Sequence, residues 1–443
     1  MASDTGLPLY ALVDYSDPYV QPLLLSALRS RLSSDSYQFI ESLSDYPLGG
    51  GPLLQIRQYE SIVFEFALEE PRCLVNAYII RKALIRKHYL STTVANWVTK
   101  HPGSALKRHV RPAVDFELDY AEFLDEALVE AYELRESFER NEGKEASARE
   151  WWILKPGMSD RGQGIRLFST EQELTAIFEE WEADQPDSDS DSDRDSQDDG
   201  ANTHVGNAAT PAQLENEPPD QIITSQLRHF VAQPYIHPPL LFSSRKSHIR
   251  TYVLAVGALR VYVYKPMLAL FAAEPYAPPW SSPDLRAHLT NTCLQGTGER
   301  EGSVREFWGL PGDALPDSIA LRDGESAESA DWKAGVFEQI CSVTGELFEA
   351  AARGMMVHFQ PLPSAFEVFG VDFMLDAQGT AWLLEVNAFP DFRQTGEELG
   401  GVIQGLWEEA VDVAVKPFFG LGEEGRDGTE RMRKVLDIDL GRR

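Results

Sequence analysis

Three oxygen-bearing side chains stand in two neighbouring apolar runs: Asp372 in FGVDFML, and Glu385 and Asn387 in WLLEVN. A carboxylate set among apolar strand residues is costly unless it is paired or meets a cation. Oxygen donors of this kind suit Mg²⁺, which proteins commonly share with nucleotide phosphates. An outward-facing residue on an alternating strand is the simpler reading of Glu385 alone, but three such groups in adjacent strands favour a metal. Lys246, His248 and Arg250 alternate in KSHIR. On a strand they share one face and make an anion clamp. Lys155 ends the run WWILK, and Gly162 and Gly164 follow in PGMSDRGQG. A lysine beside a glycine-bearing loop can handle phosphate, because glycine lets backbone N–H groups approach anionic oxygens. The loop does not fit GxxxxGK[ST] and no helix follows it, which excludes a Walker-type site. Taken singly, the clamp reads better as a solvated strand face, and the loop as only a turn.

The elements that would position these groups are readable from pattern. WWILK and IRLF (165–168) flank the glycine loop as strands. Ile249–Val256 and Leu259–Tyr264 form a hairpin about Gly257-Ala258, and Phe369–Leu375 with Ala381–Val386 form another strand pair. Near the start, YALVD (10–14) reads as a buried strand, followed by a helix that Asp17 caps with Pro18 in its first turn. Ser61–Leu68 is a further strand candidate. Apolar residues at Phe123, Leu124, Leu128, Ala131, Leu134 and Phe138 predict one helix over Tyr120–Arg140. Gly400–Val415 predicts a closing helix, and residues 296–330 read as loop.

Composition bounds the function. The 443 residues carry 40 Lys+Arg against 70 Asp+Glu, a formal charge of −30, which argues against general nucleic-acid coating. No apolar run is long enough for a membrane span, and no secretory leader is evident. Three scattered cysteines argue against a disulfide framework and fit a reducing, intracellular setting. The charge is uneven. Nine Lys/Arg and no Asp/Glu fall between residues 71 and 114, a block suited to an anion or an acidic peptide, although a solvated face explains charge alone. Asp184–Asp199 is nearly all Asp and Ser, so residues 183–220 read as a disordered acidic insertion.

Taken together and in order, these segments resemble the ATP-grasp fold and, within it, the tubulin–tyrosine ligase-like family. KPGMSDRGQGI resembles that family's lysine and glycine-rich lid, FVAQPYIHPPLL its adenine hinge, KSHIR its KFDIR motif and EPY (274–276) its SEPY-type segment. HLTN (288–291) matches a short family motif, FGVDFML with WLLEVN its metal-binding strands, and Arg81-Lys82 an arginine–lysine pair. The match runs from about residue 75 to 415, and the N-terminal region is similar to the ligase domain of fungal members associated with processing bodies.

The resemblance implies an α/β fold. A small N-terminal α/β domain (1–74) would precede a central ATP-grasp domain (75–236, holding the insertion) and a C-terminal one (237–420), with a charged tail (421–443). Nucleotide would lie between the last two domains. It implies an ATP- and Mg²⁺-dependent ligase that joins an amino acid to a protein carboxylate. Lys155 and Lys246 would hold phosphates, with Gly162 and Gly164 in the lid and Lys82 pointing to the nucleotide. Gln233, the Pro234 carbonyl, Tyr235 and Ile236 would read adenine, and Thr290 the ribose. Asp372, Glu385 and Asn387 would hold Mg²⁺. Arg250, Lys265 and Asn291 would stabilise the γ-phosphate and the acyl-phosphate oxyanion. Three positions depart from the family: His248 replaces the Asp of KFDIR, Lys265 an arginine, and Ala388 the glycine of EVNG. The implied partners are an acidic, tubulin-like tail or mRNA-decay proteins, in the cytoplasm and processing bodies, with no membrane and no direct nucleic-acid contact. The alternative the resemblance leaves is an inactive ATP-grasp scaffold.

Overall fold

The computed structural model describes residues 8–47, 50–157, 162–183, 228–290, 303–312, 331–396, 399–422 and 428–441. All but the first residue of the expected acidic insertion, and most of the 296–330 segment, lie outside them. Two compact units form, one from residues up to Pro112 together with those from Ile236 onward, the other from Ala113–Tyr235.

The first unit opens on a parallel sheet of β1 (Leu9–Asp14), β2 (Tyr37–Ile40), β3 (Leu53–Arg57) and β4 (Cys73–Val75), in the order β2-β1-β3-β4. Parallel neighbours need a crossover, and helix Val20–Arg31 supplies the one from β1 to β2. Asp17 does cap the turn that enters this helix, its Oδ1 accepting the N–H groups of Tyr19 at 2.8 Å and Val20 at 3.2 Å. The strand expected at Ser61–Leu68 is not one. Phe64–Glu69 is a short helix on the β3-to-β4 crossover, with Ala67 turned into the core. A short apolar run does not distinguish a strand from a buried helical turn, and the parallel topology decides here.

The second unit is an antiparallel sheet of β5 (Val114–Glu117), β6 (Trp152–Pro156), β7 (Arg166–Phe168) and β8 (His229–Pro234), in the order β5-β8-β6-β7. Phe116, Phe168, Phe178, Trp181 and Phe230 fill its core. The helix expected over Tyr120–Arg140 is divided into Leu124–Glu130 and Tyr132–Asn141 by a non-helical Ala131 at φ −90°, ψ 52°.

The rest of the first unit is built on an eight-stranded sheet of β9 (Leu241–Phe242), β10 (Arg245–Val256), β11 (Arg260–Tyr264), β12 (Leu268–Phe271), β13 (Val304–Glu306), β14 (Phe366–Leu375), β15 (Ala381–Ala388) and β16 (Met432–Asp437). β10 is its spine, pairing β14 along one side and, in different halves of its length, β11 and β12 along the other. One face carries Ile249, Val253, Val371 and Phe373 beneath the long helix Trp332–Gly354. The opposite face changes character along β10. Tyr252, Leu254 and Val256 pack with Leu24, Leu28, Leu406 and Trp407 from helices Val20–Arg31 and Gly400–Ala410. Beyond them the same face presents Arg250, His248 and Lys246. Among the described residues no helix is long and apolar enough to cross a membrane.

Candidate functional site

The polar end of that face is assembled by strand register. Arg250 of β10 lies opposite Asp372 of β14, and Asp372 opposite Glu385 of β15. Leu384 is the extra residue of a β-bulge, since Asp372 pairs Glu385 while Phe373 pairs Leu383. In an unbroken strand Leu383 and Glu385 would share a face. The bulge turns Leu383 into the apolar core while Glu385 joins Asp372 on the polar side, the re-aiming that bulges commonly perform.

Arg250 grips Asp372 with a fork: Nε donates to Oδ1 at 2.5 Å and Nη2 to Oδ2 at 3.0 Å. Both are buried. Burial opposes the guanidinium charge, but Asp372 outweighs it and holds Arg250 above its ordinary range. Gly370 makes room for this fork. A Cβ there would stand 2.8 Å from Pro390 Cβ and 3.2 Å from Arg250 Cδ. Asn387, opposite Gly370, donates through Nδ2 to Glu385 Oε1 at 3.1 Å and to Asp372 Oδ2 at 3.3 Å. The carboxamide thus ties the two carboxylates together, while the guanidinium holds Asp372.

His248 is also buried. Its Nδ1 meets Thr290 Oγ1 at 2.5 Å, and its Nε2 stands 3.7 Å from Asp372 Oδ1. Burial pushes this imidazole below its ordinary range and Arg250 adds to the effect, against the pull of Asp372 and Glu385. Lys246 is 3% exposed. Its charge adds to the burial that lowers His237 and His288. The EPY and HLTN segments close round this end: Tyr276 Oη meets His237 Nδ1 at 2.7 Å, and His288 Nε2 the Ser282 carbonyl at 3.0 Å.

Two carboxylates and a carboxamide are the donors Mg²⁺ takes. Among the described residues no three His, Cys, Asp or Glu side chains already converge as a metal cage. The donor types fit a cation by chemistry, but Arg250 answers the Asp372 charge here, so a cation at these donors would require Asp372 to be released from the guanidinium.

Within the second unit, Lys155 on β6 donates through Nζ to Gln233 Oε1 on β8 at 3.1 Å. Gly162 and Gly164 have φ of +81° and +68°, conformations that favour glycine and shape the loop before β7. Tyr235 N–H donates to the Trp151 carbonyl at 2.8 Å. Ile236 begins the other unit's stretch and is buried.

Some expected residues are not brought to the Asp372 cluster. Lys265 follows β11, is exposed, and rests its ammonium 5.5 Å from the centre of the Trp308 ring. The β12 residue facing His248 is instead Leu270, which carries no charge. Lys82 is exposed. Its neighbour Arg81 is buried against Glu367 at 2.8 Å. Asn291 lies outside the described residues. Gly370, Pro390 and the bulge at Leu384 were not singled out from the sequence. Gly370 stood inside FGVDF, but nothing local reveals which side chain needs its space.

Comparison with known proteins agrees with this layout. A model of the tubulin-tyrosine ligase family matches residues 83–420. A Schizosaccharomyces pombe protein named a probable tubulin–tyrosine ligase is 42% identical over 94% of each chain. The probable tubulin–tyrosine ligase PBY1 of Saccharomyces cerevisiae is 40% identical across 93% of this chain and 52% of its own length. The fold is similar to the crystal structure of the C-terminal domain of K. lactis Pby1, described as an ATP-grasp enzyme interacting with the mRNA decapping enzyme Dcp2. The TM-score is 0.67 at 32% identity, covering 98% of this chain and 99% of that one.

Proposed function

The chain belongs to the tubulin–tyrosine ligase family and has the ATP-grasp fold; from that premise we propose that it is an ATP- and Mg²⁺-dependent ligase joining an amino acid to a protein-tail carboxylate. The observation that carries the reading is the Arg250–Asp372–Glu385–Asn387 cluster, its Arg250 and Asp372 buried and its Glu385 and Asn387 partly exposed, where charges are concentrated on a face otherwise devoted to core packing.

Lys155 and Lys246 hold ATP phosphates, and Gln233, the Pro234 carbonyl, Tyr235 and Ile236 read adenine. Thr290 lies at the ribose, and Lys82 reaches toward the nucleotide. Gly162 and Gly164 let backbone N–H groups approach the phosphates. Asp372, Glu385 and Asn387 hold Mg²⁺, which supplies charge neutralisation to the phosphate oxygens. An acceptor carboxylate oxygen attacks the γ-phosphorus and ADP leaves, giving an acyl phosphate. The incoming amine then attacks the acyl carbon, losing a proton as the amide forms, and inorganic phosphate leaves. Arg250, freed from Asp372, and Asn291 stabilise the negative charge that develops on these oxygens. Lys265 shares this role, its exposed ammonium leaving the Trp308 ring, 5.5 Å from its centre, to do so.

A second reading has one specific support. The K. lactis relative is described as interacting with Dcp2. On that reading the chain is an ATP-grasp scaffold in an mRNA-decay assembly, located in cytoplasmic processing bodies. Calorimetry with Mg²⁺ and a non-hydrolysable ATP analogue, followed by transfer of labelled amino acids to candidate acceptor tails, separates the readings. The ligase reading expects nucleotide binding and transfer, with transfer abolished in Glu385→Gln while the fold is kept. Nucleotide binding without transfer across the amino-acid panel leaves the scaffold. No nucleotide binding at millimolar concentration sinks the ligase.

A further inference from the structure

We propose that His248 supplies a nitrogen donor to the divalent cation held at Asp372 and Glu385, so that this site favours a first-row transition cation such as Mn²⁺ over Mg²⁺. The inference rests on the metal–nucleotide reading above and goes beyond it by naming a ligand and a cation class.

The first observation is an unmet atom. His248 is 6% exposed, yet among the described residues its Nε2 has no hydrogen-bond partner. Buried polar atoms are nearly always satisfied, and an exception in a cluster of charges asks what else would meet it. The second is direction. Nε2 stands 3.7 Å from Asp372 Oδ1, too long for a hydrogen bond. Donors to a small divalent cation each lie about 2.1 Å from it, so two of them are separated by at most about 4.2 Å. The spacing of Nε2 and Oδ1 is within that limit, so one cation can touch both. The third is the other ring nitrogen. Nδ1 is engaged by the Thr290 hydroxyl oxygen at 2.5 Å. Metal-binding imidazoles usually donate their second N–H to a fixed acceptor, which sets the tautomer and leaves the lone pair on the other nitrogen. With Thr290 accepting from Nδ1, the lone pair stands on Nε2, facing the carboxylate, and cation binding selects that tautomer.

Replacing an oxygen donor by imidazole shifts preference away from Mg²⁺, which prefers hard oxygen ligands and dehydrates reluctantly. Arg250 adds a condition. Its fork occupies both oxygens of Asp372, so the cation binds weakly alone and well with nucleotide, whose phosphates draw the guanidinium away.

The test uses the full chain with Mn²⁺ and a non-hydrolysable ATP analogue. Pulsed electron paramagnetic resonance on protein carrying ¹⁵N-histidine should show coupling of Mn²⁺ to an imidazole nitrogen, separable by its isotope from the adenine nitrogens. His248→Asp should lose that coupling and lower the Mn²⁺-to-Mg²⁺ affinity ratio about tenfold by calorimetry. If His248→Asp does not fold, the comparison of ¹⁵N- and ¹⁴N-histidine wild-type spectra decides by itself. A Mn²⁺–nucleotide complex without histidine coupling overturns the proposal and leaves the metal–nucleotide reading standing. Absence of Mn²⁺ binding even with nucleotide overturns both.

Discussion

Arg250 and Asp372 were each legible from alternation in KSHIR and from a carboxylate set among apolar residues. Their pairing was not, because it depends on the register of β10 against β14, strands more than a hundred residues apart in sequence. Gly370 shows what register demands of a single residue. Its missing side chain is the space through which Arg250 reaches Asp372, bounded on the other side by Pro390. Gly370→Ala should therefore act twice. Overpacking against a proline that has little freedom to yield should cost about 1–3 kcal/mol, read from denaturant unfolding. Displacement of the guanidinium should also weaken nucleotide binding beyond the loss of folded protein. Unchanged nucleotide affinity in a destabilised Gly370→Ala would mean that the fork is structural and that phosphates are held elsewhere. Phe389 makes a related point. It takes φ +52°, an unusual conformation for a bulky residue, and sits against Tyr15 and Tyr59 with Arg81 near its ring. Neighbours from three separate stretches of chain hold it there, and no local pattern announces them.

At the scale of elements, the sheets were legible where alternation or an apolar run was long, as in β10 and β14. The failures came where topology overrode pattern: Phe64–Glu69 coils because a parallel crossover needs it, and the bulge in β15 breaks an alternation that WLLEVN alone does not reveal. The RK pair belongs here too. Arg81 lies buried against Glu367 of β14, whose second oxygen accepts the Tyr78 N–H at 3.0 Å. It clamps the segment before helix Lys87–Lys100 to the large sheet. Burial pushes Glu367 up from 4.5 to about 7, although Arg81 and the Tyr78 N–H pull the other way. A carboxyl raised on folding binds its proton more tightly in the native state. Its stabilising contribution is complete below the unfolded value near 4.5 and is lost as pH rises through about 7. Glu367→Gln removes this titration. The stability of wild type relative to Glu367→Gln should therefore decline between pH 4.5 and 7, measured by urea unfolding across that range. A difference that grows with pH would show that the ionised pair with Arg81 dominates burial.

At the scale of the molecule, a chain of charge −30 repels an acidic partner unless a local region offsets that field. The basic stretch between residues 71 and 114 is the one evident from sequence, and the structure divides its charges into kinds. Arg81 is spent on Glu367, and Arg111 lies 4.0 Å from the centre of the Trp382 ring, where burial lowers it and Asp376 pulls it back up. Lys100, Lys107 and Arg108 remain exposed, in the last turns of two helices flanking His101-Pro102-Gly103. Helix C-termini favour cations, so these three also serve their helices. Neutralisation rather than reversal therefore separates docking from helix stability. If this surface receives the acidic tail of the proposed ligase reaction, changing Lys100, Lys107 and Arg108 together to Gln should weaken a poly-glutamate peptide at low salt. Exposed charges contribute about 0.2–1 kcal/mol each, so the expected loss is roughly three- to 160-fold, and it should shrink as salt shortens the Debye length. ATP-analogue affinity should not change. Arg111→Gln, by contrast, should lower the melting temperature through lost contact with Trp382 and leave the salt dependence of peptide binding intact. Equal loss of peptide and nucleotide affinity in the triple variant would assign the three cations to the nucleotide site. No loss of either would leave them as helix-terminal charges, and the acidic partner would have to meet the chain elsewhere.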